Sequence, residues 1–203
     1  LVDTADGSVL NQFLNPNNED RFYASSFSPD GQFIALAGNG DFYISNVSSG
    51  ATVYSISIPP STVNDIAWSP DGNYIAMCGG WEGSSASIDM YEFTGSSWAR
   101  IWQKTMSTSC ASADFSSDST QIAVGMYWYQ TDGNTAYVYQ VDTGTQVDSV
   151  SGPRPGNCQS GSNNNCGTIY GISWSPDSTR IVTAHGKDDE GVYYWFADID
   201  EDN

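Results

Sequence analysis

Positive charge is the scarcest feature of this sequence. Six Lys and Arg stand against 24 Asp and Glu, a formal net charge of −18 over 203 residues. A chain so poor in clustered cations is not built to hold nucleic acid or an anionic membrane surface, since both reward them. No stretch approaches the roughly 18 consecutive apolar residues of a membrane-spanning helix, so membrane insertion is not expected. No charged-then-apolar leader opens the chain, and any targeting signal is expected to lie outside it or to have been removed. Signatures of catalysis are equally sparse: there is no Gly-x-Ser-x-Gly elbow and no Gly-rich phosphate loop of Rossmann or Walker type. Without such an elbow the single histidine, His185, reads as a strand-end residue rather than a general base. The chain is therefore expected to be non-enzymatic, with no catalytic residue and no cofactor.

What is present is a repeated frame. Phe27-Ser28-Pro29-Asp30-Gly31-Gln32-Phe33-Ile34-Ala35 returns as Trp68-Ser69-Pro70-Asp71-Gly72-Asn73-Tyr74-Ile75-Ala76. It returns again as Phe115-Ser116-Ser117-Asp118-Ser119-Thr120-Gln121-Ile122-Ala123 and as Trp174-Ser175-Pro176-Asp177-Ser178-Thr179-Arg180-Ile181-Val182. Pro pre-sets φ at the second turn position, Asp suits the third, and Gly takes a positive φ at the fourth. Where Ser119 and Ser178 replace that Gly, the turn is expected to persist with more strain. Val63, Ile66 and Trp68 before the turn and Ile75-Ala76 after it have the composition of half-buried strands. Each frame thus marks a strand, a tight turn and a second strand.

The frame aromatics stand 41, 47 and 59 residues apart. A period of about 40 to 45 residues with four strands per unit is the signature of propeller blades, and longer intervals are insertions on one face. Calling the strands of a blade A to D, residues 1–14 supply C and D of a split blade. Full blades occupy 22–58, 63–106 and 110–150, a Gly/Ser/Asn-rich insertion fills 151–167, and a last partial blade spans 168–203. The expected architecture is all-β: one β-propeller or partial-propeller domain of four-stranded antiparallel blades, with about four repeats and incomplete terminal blades.

The four frames, together with strand-C endings such as Tyr139-Gln140-Val141-Asp142-Thr143-Gly144 and Met90-Tyr91-Glu92-Phe93-Thr94-Gly95, resemble the WD-repeat and WD-like β-propeller superfamily over nearly the whole chain. No Trp-Asp dipeptide occurs, Tyr139-Gln140 standing where the family often has it, and no Gly-His pair precedes strand A. The resemblance implies a platform that binds other proteins.

Four cysteines sit in places suited to disulfides. A tight hairpin would put Cys78 opposite Val63, at the level that Cys110 occupies one blade on, so an inter-blade bridge is expected there. Cys158 and Cys166 flank a polar loop that a bridge would staple. No His or further Cys stands close enough to make a zinc site, and no metal site is expected. The frame carboxylates Asp30, Asp71, Asp118 and Asp177 recur once per blade and are explained by turn stabilisation. The clusters at 188–190 and 198–202 lack the Gly-punctuated pattern of a calcium loop and read as solvated tips. Trp81, Tyr127, Trp128 and Tyr129 lie at or near B-to-C connections, where they either pack between blades, the commoner fate of large aromatics, or, exposed, would suit a partner protein or a glycan. Asn46-Val47-Ser48 is a glycosylation sequon. Low Lys and the placed cysteines point to an extracellular or cell-surface setting. The expected function is a non-enzymatic scaffold that binds protein partners or copies of itself as an oligomer or filament. The alternatives are a glycan- or ligand-binding propeller and, third, a propeller lyase or hydrolase.

Overall fold

The structure, a computed structural model, describes residues 1–13, 21–80, 86–127, 135–150, 168–186 and 193–198. The strands are β1 Phe22–Phe27, β2 Phe33–Asn46, β3 Thr52–Trp68, β4 Tyr74–Gly79, β5 Ala86–Phe93, β6 Trp98–Met106 and β7 Cys110–Phe115. They continue as β8 Gln121–Met126, β9 Ala136–Gln140, β10 Gln146–Val150, β11 Thr168–Trp174, β12 Arg180–Gly186 and β13 Tyr193–Asp198. All pairings between them are antiparallel, and no helix occurs among the described residues.

Two of these strands serve twice. Extended, the 14 residues of β2 would span about 46 Å. Yet the Val47 N–H donates to the Gln32 carbonyl at 2.9 Å. The strand therefore folds back at Asn39-Gly40, where Gly40 has φ 84°. Its first half pairs with β1 and its second half with the start of β3, as in Phe27↔Ile34 and Ile44↔Tyr54. The rest of β3, Val63 to Trp68, pairs with β4 and opens the next unit. The result is three four-stranded units, blades I, II and III, followed by the three strands β11-β12-β13 of blade IV.

Each frame forms the A-to-B turn. The N–H groups of Gly31, Gly72, Ser119 and Ser178 donate to the carbonyls of Ser28, Ser69, Ser116 and Ser175, each at 2.9 Å. The fourth position is left-handed in every copy, with φ 69° at Gly31, 80° at Gly72, 63° at Ser119 and 59° at Ser178. Both serines carry the backbone strain expected of them.

The core lies in the seams between blades rather than inside any one sheet. One cluster joins Ala35, Phe42 and Ile44 of blade I to Val63, Ile66 and Ile75 of blade II. A second joins Ala76, Ile88 and Met90 of blade II to Phe115, Ile122 and Val124 of blade III. A third joins Ala123 and Val138 to Ile169, Ile172 and Trp174 of blade IV. Alternate residues of β4 point to opposite seams, so β4 and β8 are buried on both faces after their first residue. This corrects the half-buried expectation for the strand after the frame turn: that alternation needs one solvated face, and a strand between two neighbouring blades has none.

Candidate functional site

The seams are joined by directional bonds as well as by apolar contact. At the II/III seam the Asp65 carboxylate accepts the Ala113 N–H at 2.9 Å and the Ser112 hydroxyl at 3.2 Å. One seam on, Asp114 accepts the Trp174 N–H at 2.7 Å and the Ser173 hydroxyl at 3.0 Å. Burial pushes the Asp65 carboxyl above its ordinary value, against the pull of those hydrogen bonds and with the help of the nearby Asp114 charge. The Asn64 amide donates to the Cys110 carbonyl at 2.8 Å and to the Ser109 hydroxyl at 3.1 Å.

The strained serines explain themselves at the same seams. Ser119 Oγ accepts the Asp71 N–H at 3.0 Å, and Ser178 Oγ accepts the Ser117 N–H at 2.9 Å. Each frame turn is thereby latched to the turn of the preceding blade. At the I/II seam the equivalent residue is Gly72, which has no hydroxyl to offer.

The four frame carboxylates belong to their own turns. Each accepts the frame serine hydroxyl, from Ser28, Ser69 and Ser175 at 2.6 Å and from Ser116 at 2.7 Å. Each also accepts the backbone N–H two residues on. The serine hydroxyls hold Asp30 and Asp118 below the usual carboxylate value, and Ser175 with Thr179 brings Asp177 down to about 2. In Asp71 burial pulls upward, but bonds from Ser69 and Asn73 outweigh it.

Cys78 and Cys110 form a disulfide with Cα atoms 5.3 Å apart, closing blade II onto blade III. The register that places them differs from the sequence reading: Cys78 pairs with Asp65, and Val63 pairs with Gly79. The extra residue is Asn64, at a β-bulge that every A strand repeats, at Tyr23, Ala111 and Tyr170. Nothing in the residue types of those positions announces the bulge. Cys158, Cys166, Trp81, Trp128 and Tyr129 lie outside the described residues. Tyr127 meets Tyr170 of blade IV edge-on, with ring centroids 6.2 Å apart, and so belongs to the III/IV seam. His185 stands in β12 opposite Ile169 and Tyr193. Asn46 ends the C strand of blade I, its amide oxygen accepting the N–H groups of Ser48 at 3.1 Å and Ser49 at 3.0 Å. Among the described residues no three His, Cys, Asp or Glu gather as metal ligands.

Two surfaces stand out that residue types alone did not reveal. The first is the side of blade I turned away from blade II. Phe27 there is 48% exposed, whereas the equivalent Phe115 and Trp174 are 4% and 8% exposed against the preceding blade. Ser25 is exposed where Ile66, Ala113 and Ile172 are buried. The segment 1–13, closed by the Val2↔Val9 bridge, is tied to blade I by an Asn11 amide donating to the Val47 carbonyl at 3.1 Å. Its Val2, Val9 and Leu10 are exposed too. The second surface is a cleft of about 470 Å³ between blades I and II, walled by Phe33, Tyr54, Trp68, Phe93 and Trp98.

The WD domain, G-beta repeat family matches residues 49–84 and 156–195. Among solved structures, the chain is similar to the β-propeller domain of Myceliophteria thermophila Cps50 (Swd1), with 12% identity and a TM-score of 0.64 over 83% of this chain and 51% of that one. It is similar to Kuenenia stuttgartiensis hydrazine synthase at 15% identity and a TM-score of 0.65, covering 88% and 46%. The WD40 repeats of RRP9 give 18% identity and a TM-score of 0.64, covering 89% and 48%. The chain thus spans about half the length of these structures.

Proposed function

On the premise that this chain is built of WD-type repeats in a β-propeller fold, we propose that it is a non-enzymatic protein-interaction scaffold whose docking element is the outward side of blade I. The observation that carries this reading is Phe27. In blades III and IV the same frame aromatic is covered by the blade before it, in blade II Trp68 is half-buried, and in blade I Phe27 is about half exposed. Fully burying a side chain of this size stabilises by roughly 1.5–3 kcal/mol. The occupant that fits is another blade of the same kind, because that is what covers the matching face in each described seam. In a solution of the isolated chain, a second copy supplies it. Phe115 and Trp174 pack on the trailing face of the blade before them, so the matching contact between copies is head-to-tail, and such contacts make rings or filaments. The high negative charge opposes this contact, so association strengthens as salt screens it.

The buried Cys78–Cys110 bridge supports an oxidising, extracellular or cell-surface setting. Light scattering at several salt concentrations tests the docking reading. Assemblies larger than the monomer are expected at about 0.15 M salt and above, and Phe27→Asp should return the chain to monomer. A wild-type chain that stays monomeric throughout, or a Phe27→Asp variant that assembles as well as wild type, would contradict it.

A further inference from the structure

The cleft between blades I and II is a separate surface from the outward side of blade I. Its origin is visible by comparison with the next seam. At II/III, the Trp102 indole packs beneath Gly144, so closely that a Cβ there would stand 2.8 Å from the ring. It donates to the Val141 carbonyl at 2.7 Å and closes the seam. At I/II the corresponding contact is made by the smaller Tyr54, whose hydroxyl donates to the Trp98 carbonyl at 3.1 Å. The frame turns above are also unlatched, because Gly72 lacks the hydroxyl that Ser119 supplies one seam on. A smaller ring and a missing latch leave the I/II seam open.

The walls of the opening are aromatic and set. Trp68 and Trp98 meet edge-on at 5.5 Å between centroids, Phe93 leans on Trp98 at 5.3 Å, and the Trp68 indole N–H is engaged by the Gly72 carbonyl at 3.2 Å. Phe93 is 42% and Val53 56% exposed, so the apolar surface reaches solvent. Asp30 and Asp71, both exposed, stand at the rim. No Lys or Arg is among the residues that line the cleft. Arg100, two residues beyond Trp98, is paired with Asp89 at 2.8 Å.

Aromatic faces attract a cation through their negative quadrupole, and a planar guanidinium both stacks on a ring and forks to a carboxylate. We propose that the I/II cleft binds an arginine side chain presented by a basic segment of a partner protein. The guanidinium lies against the solvent-facing surfaces of the Trp98 and Phe93 rings and is drawn by the Asp30 and Asp71 carboxylates, while its aliphatic stem lies on Val53 and Tyr54. The overall charge of the chain steers such a basic segment toward it.

The probe is the blocked tripeptide acetyl-Gly-Arg-Gly-amide, read by tryptophan fluorescence, with the citrulline tripeptide as its neutral counterpart of nearly equal shape. We expect saturable binding of the arginine peptide, at least about tenfold weaker binding of the citrulline peptide, and affinity that falls as salt rises. Trp98→Ala should weaken binding by about tenfold or more, and Asp30→Asn by several-fold, the loss of one charge-assisted contact. Trp98→Ala also loosens the seam, so the arginine-against-citrulline ratio on the unaltered chain decides. Equal affinity for the two peptides, or no binding of either up to about 10 mM, would overturn the proposal. Neither result bears on assembly through blade I, which light scattering reads separately.

Discussion

Breaking the Cys78–Cys110 bridge should markedly destabilise the seam between blades II and III. The bridge spans a sequence separation of 32. The chain-entropy relation for a closed loop of that size gives about 3.7 kcal/mol at 25 °C. Both cysteines are fully buried, so the loss comes without exposure of a new polar group when each becomes alanine. For a domain of 203 residues a change of that size lowers Tm by about 7–15 °C. The measurement is thermal unfolding of Cys78→Ala/Cys110→Ala beside wild type, followed by circular dichroism. Wild type treated with mild reductant while folded should melt as untreated protein does, because the sulfurs are shielded until the seam opens. A double variant that melts within about 2 °C of wild type would refute the reasoning, since the II/III seam would then hold without its covalent tie.

Three further outcomes follow from the seams and turns. Asp65→Ala strands the Ala113 N–H and should cost about 1–3 kcal/mol in urea unfolding, with Asp65→Asn closer to wild type because an amide oxygen still accepts; an unchanged midpoint for the alanine variant would contradict the bridging role. Ser119→Ala should lose about 1 kcal/mol, keeping the left-handed strain but not the bond to Asp71, while Ser119→Gly should be nearly neutral because relief of strain offsets the lost bond; equal stability of alanine variant and wild type would count against the latch. The frame carboxylates, with folded values held below the ordinary 3.8, stabilise the fold fully above that value, and the contribution is lost as pH falls from about 4 toward about 2. Asp65, raised by burial, has the opposite sign, its contribution fading as pH rises through its folded value. Acid titration of stability should therefore steepen below about pH 4 and flatten in Asp177→Asn; an identical slope in that variant would refute the turn account.

The repeat and its blades were legible because the frame turn has strict backbone demands. Ser, Asp and a residue tolerating positive φ at fixed offsets leave a mark in any sequence that makes this turn. The seam contacts left no such mark. Asp65 stands three residues before its frame aromatic and Asp114 stands one before, so the two bridging carboxylates share no periodic position. The bulge at Asn64 shifted Cys78 from Val63 to Asp65, and only backbone geometry carries that information. The aromatics of the I/II cleft were hidden for another reason. Whether Trp98 lines a cleft or fills a seam, as Trp102 does, depends on the size of a partner residue on a neighbouring blade, which no single stretch of sequence encodes.

Blade docking through the outward side of blade I is tested most directly by hydrogen exchange of the β1 amides, Phe22 to Phe27, at low and high protein concentration. These amides should become more protected as concentration rises, in step with the appearance of assemblies, while those of β4 and β8, already enclosed by neighbours, stay the same. Exchange in β1 that is independent of concentration while assemblies form, or protection that appears only in other strands, would contradict it.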